Sequence, residues 1–257
     1  MRPLLDADIL LYEVGVIGDK EDGPTSFDYV AEILDGKILE ICEAAQATEP
    51  PVLYLTGKNN FREEIAVTKV YKGNRKDAKP YHYQNLRVYM HNQYEVRVQD
   101  GLEADDLMSI DQTHAPPNST IICTRDKDLR MIPGWHYGWE CGGQREYGPL
   151  LVDHWGRIEL DRSRKAPKLV GTGMMFFYAQ LLMGDPVDNI PGVPLVGPKK
   201  AYEILTREDD RSLYEKVRDV YASKNLTDEY FMEQANLLWM VRELNEDGSP
   251  VLWKPPT

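Results

Sequence analysis

The sequence predicts an α/β fold with a parallel central sheet, followed by a mostly helical C-terminal part. Three observations carry this. Four short apolar runs read as buried strands; helix-like stretches lie between them; and from about Gly173 the pattern turns mostly helical. Alternation of strand and helix favours a parallel sheet, whose ligand site lies at the carboxyl ends of its strands.

The strands are expected at residues 3–12 (PLLDADILLY), 51–56 (PVLYLT), 94–98 (YEVRV) and 119–124 (STIICT). Helices are expected from Tyr29 to Ala47, Tyr83 to Asn92 and Leu102 to Thr113. Four more follow: Met174 to Met183, Lys199 to Leu205, Ser212 to Ser223 and Glu229 to Glu243. The apolar residues of the last stretches read as packing, and residues 206–257 carry no motif.

Composition narrows the class. With 257 residues, 42% of them hydrophobic and 28% charged, the chain can bury a core, which excludes disorder, collagen and coiled coil. The apolar run MMFFYAQLLM spans half the roughly 20 residues a membrane-spanning helix needs. MRPLLDADILLY carries acids inside its apolar run, unlike a signal peptide, so a cytoplasmic protein is expected. Three cysteines without CxxC spacing and five scattered histidines indicate neither a disulfide framework nor a zinc site. Any bound metal would be held by carboxylates.

The net charge of −12 hides an asymmetry. From Lys58 to Lys79 there are seven basic residues against three acids, and from Arg157 to Lys168 five against two. Such runs are commonly solvated faces, but YKGNR, Tyr71 to Arg75, combines an aromatic, two cations and a glycine, tools for bases and phosphates.

The acids gather where elements end. Asp6 and Asp8 close the first apolar run, where two carboxylates two apart on a strand point to one side. Glu103, Asp105 and Asp106 follow YEVRV, Asp126 and Asp128 follow STIICT, and Asp185 and Asp188 follow the apolar helix. Singly, each has a bland explanation as a helix start or turn. Together their mutual repulsion favours cations, with magnesium suited to oxygen ligands. Paired ions clamp the attacking and leaving oxygens of a displacement at phosphorus.

LLDADILLY, FREE…VYKGNRK, GLEADDL, IICTRDKDLRMIPG and LLMGDPVDNIPGVPLVGPKKAYEIL occur in this order, and in that order the chain resembles the 5′-nuclease (flap endonuclease) superfamily. The likeness runs from Leu4 to about Leu205 and is closest to the stand-alone exonucleases of tailed bacteriophages and the 5′-nuclease domain of bacterial DNA polymerase I. The resemblance implies a SAM-like (PIN-like) nuclease core over residues 1–172 with a helical arch at about 70–93. Residues 173–257 would add a helix-three-turn-helix and the C-terminal helices within the same structural unit. It implies a 5′-3′ exonuclease or flap endonuclease acting on duplex DNA with a 5′ end or flap, with RNA in hybrids as a further substrate. Two or more Mg2+ or Mn2+ ions would be used, with no small-molecule cofactor, by a monomer in the cytoplasm, the host's if the chain is phage-encoded.

By position, the resemblance assigns Asp6, Glu103, Asp105 and Asp106 to a first metal site and Asp126, Asp128, Asp185 and Asp188 to a second. Lys72 and Arg75 would lie near the scissile phosphate, with Tyr71 to stack and Lys76 beside them on the DNA. It also implies a potassium ion on the hairpin from Gly192 to Gly197. Lys199 and Lys200 sit in a first helical turn after Gly197 and Pro198, where the dipole disfavours cations unless an anion is bound.

One departure stands out. Family members carry an Asp at the end of the second strand, where this chain has Leu55, Thr56 and Gly57. Either Asp8 compensates from the adjacent strand end, or the first metal uses more water. Other classes share parts of the pattern: a haloacid dehalogenase-type phosphatase has the DAD motif, a PIN-type ribonuclease the acidic core. A nucleic-acid-binding module with a weakened site accounts for the missing Asp.

Overall fold

The computed structural model describes residues 1–19, 23–75, 78–163 and 166–256, which divide into two units. The first comprises Met1–Asn59, Lys76–Leu129 and Gly134–Leu151, and the second Asn60–Arg75, Arg130–Pro133 and Val152–Thr257.

The first unit is built on a sheet of β1 (Arg2–Asp6), β2 (Val52–Tyr54), β3 (Glu95–Arg97), β4 (Thr120–Cys123), β5 (Gly134–Gly138) and β6 (Tyr147–Val152). Its order is β3-β2-β1-β4-β5-β6, and the pairs β1–β2, β1–β4, β2–β3 and β4–β5 are parallel. Parallel strands need crossovers, and helices supply them: α1 (Ala7–Glu13), α2 (Phe27–Ala44), α4 (Tyr83–Gln93) and α5 (Ala104–His114). Along α2 the buried residues Val30, Leu34, Ile38 and Ile41 recur at helical spacing and pack with Leu5, Leu10, Leu53 and Ile121.

The second unit holds α3 (Phe61–Ile65), an antiparallel pair β7 (Ile158–Asp161) and β8 (Lys168–Gly171), and the helices α6 (Gly173–Met183), α7 (Pro198–Leu205), α8 (Leu213–Ser223) and α9 (Asp228–Leu238). Helix α6 is buried nearly all round, with Phe176, Phe177, Leu181 and Leu182 in a core completed by Tyr221, Phe231 and Trp253. Between α6 and α7 the backbones of Gly184 and Gly192 meet. A Cβ on Gly192 would fall 2.2 Å from the Gly184 nitrogen, and both have positive φ, so only glycine fits at each.

Three expectations need correction. The run 3–12 is not one strand: β1 ends at Asp6, which begins α1 as its N-cap, so Asp8 lies in a first helical turn. Asp is a strong N-cap, and that preference outweighs the apolar continuity of the run. The last helix stops at Leu238 instead of Glu243, because the fully buried Arg62 takes the carbonyls of Leu237 and Trp239. For the same reason Arg62, counted in the basic run, belongs to the core and not to a charged surface.

Candidate functional site

In the first unit the registers Asp6 to Tyr54 and Leu5 to Cys123 set the carboxyl ends of β1, β2 and β4 side by side. The acids that follow these strands are thereby collected. Asp6, 3% exposed, accepts hydrogen bonds from the Ile9 N–H (3.4 Å) and the Thr124 hydroxyl (2.7 Å). The same Thr124 oxygen accepts the N–H of Asp126 (2.9 Å), whose carboxylate accepts the N–H of Asp128 (2.8 Å). Asp128 is buried and pairs with the Lys127 ammonium at 2.9 Å. At the head of α5, the fully buried Asp106 accepts the N–H of Glu103 (3.2 Å), and Asp105 is half-buried.

Asp8 lies beside the end of β2, where the expected second-strand acid is absent. Its Oδ2 accepts the N–H of Thr56 (2.9 Å), and the Thr56 hydroxyl accepts the N–H of Ala104 (3.1 Å). Leu55 is fully buried in the core, and a Cβ on Gly57 would lie 2.0 Å from the Gln99 carbonyl oxygen. Neither position has room for a carboxylate, and the acid nearest the end of β2 in these contacts is Asp8 of α1.

The acids disturb one another. Burial pushes the Asp6 carboxyl up to about 7, and the charges of Asp8 and Asp126 add to the rise against the Thr124 hydrogen bond. Burial also raises Asp8, opposed by Thr56 and by the Arg87 guanidinium 3.9 Å away, and the Glu103 charge raises it further. Asp8 Oδ1 is buried without a hydrogen bond. A donor set of carboxylates with one buried oxygen that accepts no hydrogen bond suits a hard divalent cation such as Mg2+ or Mn2+. Among the described residues, no three His, Cys, Asp or Glu side chains are grouped as the ligands of one ion are.

In the second unit the YKGNR turn is fastened to the loop after α6. Asp188 accepts the Tyr71 hydroxyl (3.1 Å) and the Arg75 guanidinium, and its backbone carbonyl accepts the Lys72 N–H (3.0 Å). Asn74 donates to the Pro186 carbonyl (2.8 Å) and Asn189 to that of Val70 (2.9 Å). The buried Asp185 accepts the Val187 N–H at 2.9 Å. Tyr71 is 7% exposed within the core, with the Lys72 ammonium 4.9 Å over its ring, which corrects the expectation that it stacks on a base. Lys76 lies outside the described residues.

Sequence reading missed the supports of this turn. Glu233 of α9 accepts the N–H groups of Val67 (2.8 Å) and Thr68 (2.7 Å) and the Thr68 hydroxyl. With Arg62 it ties the basic segment to the C-terminal helix. Thr56, Thr124 and Arg87 were missed as well; the only signal was that each threonine lies within two residues of a strand's end.

The hairpin before α7 exposes Lys199 and Lys200 beside Gly197, the N-cap. The Gly192 carbonyl accepts the Tyr230 hydroxyl (2.6 Å), leaving one lone pair for a cation. Leu195 has φ +64°, a conformation that costs about 1–2 kcal/mol for a residue other than glycine. A separate cavity of about 470 Å³, lined by Trp155, Tyr178, Tyr214, Trp239, Arg242 and Trp253 among others, includes none of the candidate residues.

No protein-family model matches the chain. It is similar to DNA polymerase I of Pseudomonas aeruginosa, 34% identical over 110 residues covering 42% of this chain and 11% of that protein. DNA polymerase I of Lactococcus lactis is 27% identical over 198 residues, 72% of this chain and 21% of that protein. The chain thus spans about a fifth or less of these relatives' length. Among solved structures, the bacteriophage T5 flap endonuclease in a pseudo-enzyme-product complex with DNA and metal ions aligns with TM-score 0.59 and 17% identity, covering 91% of this chain and 88% of that one. The T5 5′-exonuclease with bound zinc gives 0.60 and 17%, covering 93% and 89%. The catalytic core of Rad2 in complex with DNA substrate gives 0.50 and 13%, covering 99% and 83%. The mixed α/β architecture with a mostly parallel central sheet and several helices matches that of these nucleases, and the chain has the 5′-nuclease fold.

Proposed function

We propose that the chain is a metal-dependent 5′-3′ exonuclease and structure-specific flap endonuclease that hydrolyses DNA phosphodiesters. The observation that carries this is the buried Asp6 of the first unit, on which the charges of Asp8 and Asp126 bear, on a 5′-nuclease fold. Burial, with the charges of Asp8 and Asp126 added to it, raises the Asp6 carboxyl to about 7, a standing cost that a divalent cation offsets.

Asp6, Asp8, Glu103, Asp105, Asp106, Asp126 and Asp128 are the first unit's candidates for holding Mg2+ or Mn2+. Bound there, the ions would supply charge neutralisation at the attacking and leaving oxygens of an in-line displacement. Thr124 and Thr56 fix the carboxylates of Asp6 and Asp8 in orientation. Lys72 and Arg75 supply positive charge for the equatorial phosphoryl oxygens, which carry the negative charge of the transition state. Arg75 is held for this by Asp188, and Lys72 by its backbone bond to the same residue. The hairpin at Gly192–Gly197, with Lys199 and Lys200, grips duplex phosphates through backbone N–H groups and ammonium charges.

The test is a product ladder from 5′-end-labelled flap, nicked and blunt DNA, with magnesium and with a chelator. Metal-dependent release of short 5′ products supports the reading, and an RNA strand in a hybrid decides whether hybrids are substrates. Tight duplex binding without cleavage in magnesium would replace it with a binding module.

A further inference from the structure

Leu195 breaks two local rules at once. Its φ of +64° lies where glycine is favoured, and of the seven non-glycine residues at positive φ among those described it is the only apolar one. Its side chain is also 90% exposed, more than any other large apolar side chain described. The fold gains no burial from this leucine and bears its strain. Strain of this kind persists where the surroundings impose it, and it clusters at functional sites.

The surroundings do impose it. Val193 and Val196 on either side are buried, at 2% and 5% exposure. The Val193 N–H donates to the Leu182 carbonyl (3.0 Å), and the Val196 N–H to the Val193 carbonyl (3.2 Å). The turn is thus pinned at both shoulders, and Leu195 projects from its tip. Gly197 begins α7 two residues later, followed by the exposed Lys199 and Lys200. Six residues therefore present an apolar tip, free helix-start N–H groups and two ammonium groups. The matching surface has anions beside apolar C–H groups, which describes phosphates and the sugar edges that line a duplex groove.

We propose that Leu195 is a DNA-contacting residue that lies on the sugar edge of the duplex strand whose phosphates Lys199 and Lys200 hold. This rests on the reading of the hairpin as a duplex grip. The contact is apolar, so it contributes affinity without releasing counterions.

The test is equilibrium binding to a nicked duplex over a range of salt, with thermal melting of each protein. Leu195→Gly and Leu195→Ala are each expected to bind about fivefold more weakly, as for partial burial of one leucine. Their salt slope should match wild type, because no phosphate contact is lost. Leu195→Met should bind within about twofold of wild type, since it keeps the apolar volume. Leu195→Gly should melt no lower than wild type, because glycine accepts the backbone conformation. Lys199→Glu/Lys200→Glu should bind at least about tenfold more weakly with a shallower salt slope. Undiminished affinity in Leu195→Gly beside a weakened lysine variant overturns the proposal and leaves the hairpin reading standing. Undiminished affinity in the lysine variant overturns both. Weak binding by Leu195→Gly with a lowered melting point that Leu195→Met shares also overturns it, since the loss would then belong to the fold.

Discussion

The carboxylates of the two units keep different company. Asp6 in the first unit faces Asp8 and Asp126, is buried, and is pushed up to about 7. Asp188 in the second unit meets the Arg75 guanidinium and the Tyr71 hydroxyl, with its charge already answered. One set of acids is held against its own repulsion, and the other is the fastening of a basic turn. Identical residue types near strand or helix ends thus do different work: Asp188 is held by a guanidinium and a hydroxyl, whereas Asp6 has hydroxyl and N–H donors against two carboxylate charges.

The contrast breaks first on activity. Asp126→Asn and Asp105→Asn should each lower the cleavage rate by about 100-fold or more, since losing even a residue that only orients a metal ligand commonly costs tenfold to a hundredfold. Circular dichroism and melting should stay near wild type. A variant cutting at wild-type rate with unchanged metal dependence would remove that residue from the metal set.

Lys72→Ala carries the next largest effect. Positioned cations contribute several kcal/mol to a phosphoryl-transfer transition state, so its single-turnover rate should fall about tenfold to a hundredfold while duplex affinity changes by less than about threefold. A loss of affinity alone, with the salt slope reduced by about one phosphate contact, would make Lys72 a docking residue.

Stability should separate the two sets by sign. In chelator, Asp188→Asn should lower unfolding free energy by about 1–2 kcal/mol, because the Tyr71 hydroxyl and Arg75 lose a charged acceptor and Arg75 is partly exposed. Asp6→Asn should raise it by about 1 kcal/mol, since it removes a buried charge crowded by two others. Urea unfolding of both variants checks this, and the same sign for both would erase the distinction between fastening and poised acids.

The smallest effect is in pH. Asp6 keeps its proton in the folded state between about 4 and about 7, where an unfolded carboxyl has lost it. The folded state then binds more protons, so metal-free stability is lost as pH rises through 7. The melting point in chelator should therefore fall between pH 5 and 8, and magnesium should restore it. Asp6→Asn should flatten the profile. Asp209, Glu215, Glu229 and Asp247 are shifted downward, so their effects fall below this window.

Much of this organisation was legible in the chain alone. Period and length of apolar runs marked β2, β3 and β4 and most of the helices, because local burial on one face dictates spacing. Acids after strands marked the candidate site, because parallel strands bring their carboxyl ends together. The short strands β5 to β8 escaped, since GWHYG, and IELD with KLVG, lack a clean apolar alternation.

Other assignments had no local signal. Arg62 reads as one more cation in a basic run, and only the end of α9, 175 residues away, makes it a buried clamp. Asp8 reads as an acid on a strand, and only the start of α1 and the N–H of Thr56 turn it toward the gap left at β2. Glu233 has no distinguishing signal within the expected helix from Glu229 to Glu243, and only the chain at Val67 and Thr68 makes it an anchor. The sequence by itself determined which segments pair, cross over and collect carboxylates, since these follow from periodicity and topology. Tertiary structure alone decided which charges are answered and which are left to repel, because a charge is set by neighbours that arrive from distant parts of the chain.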